Sequence, residues 1–234
     1  MICASCRPAA PPQKKAAAPV PKTRAVVVTI RTVIQPDNKT IDHAIVIANG
    51  RARSTDELDR WRLFDFKNDR VTFVDDISKT FRNVPMTDLV RDRLGTLHAP
   101  LQDNVPRAQL VPTKEHAPIQ SADTVKYVVR LGGYVHELRI GVHPSIPPQL
   151  FAMMLASRPP SSPFEPVMRS VDEALLGVKG FPLAEHSELP YGNKKIVVDK
   201  SVVSIVQRDV PQSMLNVPAS YRNVGVTPAS GTLR

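Results

Sequence analysis

Residues 125–142 read VKYVVRLGGYVHELRIGV. Val125, Tyr127, Val129 and Leu131 alternate with Lys126, Val128 and Arg130, the period of two that sends successive side chains to opposite faces of a strand. Gly132-Gly133 supplies a two-residue hairpin turn, and the chain returns from Tyr134 with His136, Leu138 and Ile140 on one face. Strands joined this tightly are antiparallel. An antiparallel pair with one apolar face needs something to cover that face.

The same pattern extends in both directions. Residues 25–35 (AVVVTIRTVIQ) are rich in β-branched side chains, with Val26, Val28, Ile30, Thr32 and Ile34 on one face. Pro36-Asp37-Asn38-Lys39 is a turn, residues 40–48 return with Ile41, His43, Ile45 and Ile47 aligned, and Asn49-Gly50 marks the next reversal. Residues 60–66 and 70–75 flank the tight turn Lys67-Asn68-Asp69, and residues 79–83 continue the meander. Near the C-terminal end, residues 181–189, the turn 190–193 and residues 194–207 form a long closing hairpin.

Three segments change period. In residues 87–97, Leu89, Val90, Leu94 and Leu97 recur at helical spacing, with Thr87 as cap and Asp88 in the first turn. Residues 147–156 (PPQLFAMMLA) and 163–176 also read as helices, the second with Ser162 as cap, Pro163 at its first position and Gly177 past its end. Residues 98–118 carry Pro100, Pro106, Pro112 and Pro118 without a clear period and read as an extended excursion across the sheet edge. The expected fold is α+β: a curved antiparallel sheet of about nine strands, an unclosed half-barrel, covered by two or three helices.

Composition narrows the function. The 234 residues are 42% hydrophobic and 23% charged, with 23 Pro and only 10 Gly. No run of about 18 apolar residues exists to cross a bilayer as a helix. The net charge of +9 is uneven: Arg7, Lys14, Lys15, Lys22 and Arg24 stand in the first 24 residues without an acidic residue. Aromatics make up 5% and lie inside the alternating segments, whereas a single-strand binder interleaves basic residues with exposed stacking rings. Nucleic acid is therefore an unfavoured partner.

Residues 1–24 read as a disordered Pro/Ala/Lys-rich tether, because they have no apolar period with which to offset their ordering entropy. Residues 25–224 read as one domain, and residues 225–234 as a flexible tail. The two cysteines, Cys3 and Cys6, open the tether. A redox pair would need a strand and a following helix, and a zinc site would need a second ligand pair. Ala4-Ser5-Cys6 resembles the end of a bacterial lipoprotein signal, which makes Cys6 the candidate lipidated residue. The competing reading is an incidental cysteine pair on a tail. A cationic tether suits an anionic membrane surface.

No GxSxG, Walker, GxGxxG or HExxH motif occurs. Asp75 and Asp76 are neighbours that point to opposite faces of a strand, and Glu185 and Glu188 read as charges on an exposed edge. His136 shares a face with Tyr134 and Leu138. The default for it, as for His43, is a hydrogen-bonded core histidine. The pattern points away from an enzyme, a cofactor or a metal.

Four stretches carry a family resemblance: residues 47–53 (IANGRAR), 62–82 (RLFDFKNDRVTFVDDISKTFR), 180–192 (GFPLAEHSELPYG) and 203–221 (VSIVQRDVPQSMLNVPASY). Together they resemble a family of uncharacterised bacterial envelope proteins with the fold of the lipoprotein carrier LolA and receptor LolB. That resemblance implies an apolar space between half-barrel and helices, in a periplasmic protein or outer-membrane lipoprotein. Its expected lining is Val28, Ile30, Ile45, Leu63, Phe73, Val129 and Leu138 from the sheet. Phe151, Met153, Met154 and Leu155 come from a helix, where methionines suit an adjustable lid. The expected ligand is a lipid or lipoprotein acyl chain, bound without catalysis. The alternative is a structural envelope protein with a filled core that docks another protein.

Overall fold

The computed structural model describes residues 20–57, 59–95, 107–131, 133–158, 165–192 and 194–225. The strands are β1 (Lys22–Gln35), β2 (Lys39–Ala48), β3 (Arg51–Glu57), β4 (Arg60–Asp65), β5 (Arg70–Asp75) and β6 (Thr80–Pro85). Helix α1 (Met86–Gly95) precedes β7 (Gln109–Ile119), β8 (Ala122–Leu131) and β9 (Tyr134–Gly141). Helices α2 (Leu150–Ala156) and α3 (Glu165–Leu176) lead to β10 (Phe181–Tyr191), β11 (Lys194–Pro211) and the short β12 (Arg222–Asn223).

Among the described residues all the strands form a single sheet in the order β12-β6-β5-β4-β3-β2-β1-β11-β10-β9-β8-β7. Every pairing is antiparallel except the two-residue parallel bridge of β12 to β6. The sheet is open, with β12 and β7 at its ends, and it has 12 strands rather than nine. The three additional ones are β3, β7 and β12. Strand β7 occupies part of the proline-bearing excursion. Pro112 and Pro118 are tolerated there because β7 is an edge strand, paired on one side only, where a missing N–H breaks no ladder. Strand β1 begins at Lys22 and so takes up the last three residues of the segment read as tether, with Lys22 opposite Pro211.

The turn chemistry sets the register. Leu131 pairs with Tyr134 across the glycine turn. Asn49 (φ 53°) and Gly50 (φ 73°) make a two-residue turn between Ala48 and Arg51, with the left-handed pair of φ values that matches sheet twist. At the β4–β5 turn, Asp65 accepts hydrogen bonds from the Asn68 backbone N–H (3.1 Å) and side-chain amide (2.9 Å).

Alternation gives the sheet two different faces. On one, Val28, Ile30, Ile45, Ile47, Phe64, Val71, Leu138 and Leu183 join Leu150, Phe151, Met153 and Leu155 of α2 and Val171 and Leu175 of α3 in the main core. The three helices touch one another and form the covering layer. On the other face a smaller cluster of Ala25, Val27, Val46, Trp61, Leu63 and Val74 packs under Leu215. The helix boundaries are tighter than the sequence suggested. Helix α1 starts at Met86, so Thr87 lies inside it, and α2 starts at Leu150, after Pro147 and Pro148. Ser162, Pro163 and Leu97 lie outside the described residues.

Gly180 leads into β10 at φ 117°, and a Cβ there would meet the Gly141 carbonyl oxygen at 2.8 Å and Ile140 Cγ2 at 2.9 Å. Both backbone conformation and close approach require glycine. Gly180→Ala is expected to lower stability by about 2 kcal/mol, read as a lower urea midpoint at unchanged slope. Gly192→Ala, also left-handed (φ 59°) but in open space, is expected to lose no more than about 1 kcal/mol.

Candidate ligand cleft

The helix-facing side carries polar residues in a row across the central strands. Arg82 stands opposite Phe73, Phe73 opposite Arg62, Arg62 opposite Ser54, and Ser54 opposite Ile45. Ile45 pairs with Val28, and two same-face steps further along β1 Lys200 lies opposite both Thr32 and Glu185, with Glu185 opposite Leu138. An arginine at a position that alternation assigns to the core is the unusual element.

Arg62 is 7% exposed. Its Nη1 donates to the Met154 carbonyl (3.2 Å) and to Ser157 Oγ (2.8 Å), and the guanidinium lies 5.6 Å over the Phe64 ring. It thereby occupies the C-terminal end of α2, where carbonyls lack helical partners and a cation is favoured. Arg158 follows immediately. Its Nη1 lies 2.7 Å from Oδ1 of the fully buried Asp172 on α3, which also pairs with Arg93 of α1. One carboxylate thus ties all three helices together.

Between α2 and the sheet, a cleft of about 330 Å³ opens. Ile30, Ile41, Phe151, Met154, Leu155, Phe181, Leu183 and Val202 form its apolar wall, and Arg62, Arg158, Glu185, Lys200 and His43 its charged and titratable side. Side-chain exposure separates the roles of the cations. Arg158 is 25% and Lys200 37% exposed, so both can meet a ligand, whereas Arg62 serves the helix end.

Glu185 is not the exposed edge charge that the sequence suggested, because β10 runs inside the sheet and the side chain is 15% exposed. It lies 3.3 Å from Lys200 Nζ and 3.4 Å from His136 Nε2. Burial raises the affinity of its carboxyl for a proton, but Lys200, His136 and Arg158 outweigh burial and hold it well below the usual carboxylate range. His136 is buried, edge-on to Tyr134 with ring centroids 6.0 Å apart. Burial pushes the Tyr134 hydroxyl up to about 12.

The expected lining residues divide. Ile30, Phe151, Met154 and Leu155 line this cleft. Phe73 lines a second one beside it. Val28, Ile45, Val129, Leu138 and Met153 are at most 1% exposed in the main core and line neither cleft. The side chains of the main core lie between sheet and helices, and the cleft opens beside them. Leu63 sits on the opposite face with Trp61 and Val74, because Arg62 and Phe64 take the helix-facing positions of β4. Cys6 lies outside the described residues. Among the described residues no group of three or more His, Cys, Asp or Glu is placed to hold a metal ion, and no helix is long and apolar enough to cross a membrane.

Sequence reasoning missed Arg62, Arg158 and Lys200. For Arg62 a signal existed: in RWRLFDF it shares its face with Phe64 and Phe66. No such signal marks Arg158 or Lys200, whose meeting depends on how α2 crosses the sheet.

No family model and no curated protein matches the chain. Among solved structures, it is similar to PNGF-II in a C2 crystal form, at 12% identity and a TM-score of 0.48 over 88% of this chain and 31% of that one. It is also similar to PNGF-II in a P21 form, at 12% identity and a TM-score of 0.40 over 87% and 32%. The chain therefore spans about a third of the length of those proteins.

Two substitutions test the electrostatics. Asp172→Asn removes the buried carboxylate that Arg93 and Arg158 share, and a loss of about 3 kcal/mol in unfolding free energy is expected. Glu185→Gln is expected to cost roughly 1–2 kcal/mol at neutral pH. A carboxylate whose folded value is depressed stabilises the fold above its unfolded value and loses that contribution as pH falls toward the folded one. The gap between the wild type and Glu185→Gln should therefore be widest above about pH 5 and narrow in acid, as followed by urea titrations at several pH values.

Proposed function

We propose that this protein binds the acyl chain of a lipid or lipoprotein at the bacterial cell envelope and does not catalyse a reaction. The observation that carries the reading is the cleft itself, with an apolar wall from α2, β10 and β11 facing two solvent-reaching cations, Arg158 and Lys200. An apolar chain and an anionic end group match those two sides. Each buried methylene contributes about 0.8 kcal/mol, and the cations fix which end faces out. At about 330 Å³ the cleft is near the lower end of the roughly 300–1,000 Å³ of small-molecule sites, so it suits a single chain rather than a whole lipid.

In this reading the sheet is the curved half-barrel of a carrier, the basic N-terminal segment holds it near an anionic membrane, and lipidation at Cys6 places it in the outer membrane. One observation favours the alternative, a structural protein that docks a partner: Val28, Ile45, Val129, Leu138 and Met153, expected to line the space, are buried in the main core.

Titration with a fluorescent fatty acid separates the two. Saturable binding is expected, weakened about tenfold by Lys200→Glu and by Arg158→Ala, the loss of one charge-assisted contact. Met154→Trp, which fills the cleft, should weaken binding at unchanged helix content. Organic extracts of the protein isolated with its native membranes should carry lipid by mass spectrometry. Empty extracts together with no saturable binding would leave the docking reading in place.

A further inference from the structure

The first cleft does not end at Arg158. A second cleft, of about 390 Å³, lies over β4, β5 and β6, and Arg158 lines both. Their floors adjoin as well: Arg62, in the floor of the first, is the direct register partner of Phe73, in the floor of the second. Residues directly opposite in an antiparallel pair stand about 5 Å apart at Cβ, so no strand separates the two spaces. The second cleft is apolar at Phe73, Leu89 and Ala156, and Arg82 covers one face of the Phe73 ring at 4.5 Å. The two clefts therefore flank a cationic waist beneath the end of α2.

We propose that the two clefts form one groove for a two-chain anionic lipid, its phosphate at Arg158 and one chain on either side. The inference rests on the acyl-binding reading and extends it from one chain to two. The joint volume is more than twice that of the first cleft, which accommodates the additional chain. The order of side chains suits such a ligand: the apolar wall of the first cleft, then Arg158, then Phe73, Leu89 and Ala156 of the second, whose rim also carries Arg60, Asp75, Thr80 and Arg82. A fatty acid alone would leave the Phe73 side unfilled.

Calorimetric titration of the full chain with dioctanoyl phosphatidate, octanoyl lysophosphatidate and glycerol phosphate tests this. The two-chain lipid should bind one to one and at least about tenfold tighter than the one-chain form, a modest return for several further buried methylenes. Glycerol phosphate should bind far more weakly than either, which separates a lipid site from a phosphate site. Thr80→Trp and Leu89→Trp narrow the second cleft from the strand and the helix side respectively. Each variant that keeps the wild-type circular dichroism should lose the two-chain advantage while holding one-chain affinity within about twofold. Equal affinity for one and two chains overturns the inference, as do two equivalents of the one-chain lipid with only one lost in Thr80→Trp. One-chain binding without a two-chain advantage leaves the acyl reading standing. Loss of binding by every lipid overturns both.

Discussion

A guanidinium placed on the apolar face of a sheet cannot remain unpaired, and the arrangement of the helical layer follows from how Arg62 is satisfied. Its partners include the Met154 carbonyl and the Ser157 hydroxyl, so the C-terminal end of α2 is fixed above β4. A charged group between two apolar layers keeps them apart, since neither can close over it without a large desolvation cost. Space is left on both sides of that strut, and the two clefts occupy it. Arg158, one residue beyond Ser157, is placed at their junction by the same anchoring and by Asp172. The site is thus a consequence of burying one charge.

The opposite face explains why the sheet holds its position under this load. There the segment after β11 folds back across β3, β4 and β5, with Arg51 and Arg53 donating to the Leu215 and Met214 carbonyls. Trp61 Nε1 and the Tyr221 hydroxyl both donate to Asp76 Oδ1 at 2.9 Å, and the Arg53 guanidinium stacks 4.0 Å over the Trp61 ring. Strand β4 is consequently buried on both faces, by α2 through Arg62 and by the C-terminal segment through Trp61. The Val-Pro-Ala-Ser-Tyr stretch at residues 217–221 finds its use here, where Tyr221 fastens the segment that covers the second core.

Strands with regular alternation and clear turn residues were legible from sequence, and those stabilised mainly by their neighbours were not. The pairing of Leu131 with Tyr134 and the Asn49-Gly50 reversal follow from local chemistry alone. Strand β3, RARSTDE, has no apolar alternation; Ala52 and Ser54 are small enough to sit under the helices, and its arginines are used by the C-terminal segment. Strand β7 hides behind its prolines. The candidate lining was read as a single apolar surface, yet Val28, Ile45, Val129, Leu138 and Met153 belong to the buried main core. Leu63 faces the other way because the decisive parity belongs to Arg62, a residue whose type argued for solvent. The cations of the cleft come from β4, β11 and the second residue beyond α2, a convergence that only the crossing of helix over sheet produces.

Hydrogen exchange with and without a saturating fatty acid tests the central claim most directly, because it reports where the chain lies rather than whether it binds. Occupation of the cleft predicts slower exchange in β3, in α2 through Arg158 and at the start of β10, with the β7–β8 hairpin unchanged. Protection confined to the edge strands or to residues 212–224, with α2 and β3 exchanging as before, would contradict a cleft held open by Arg62.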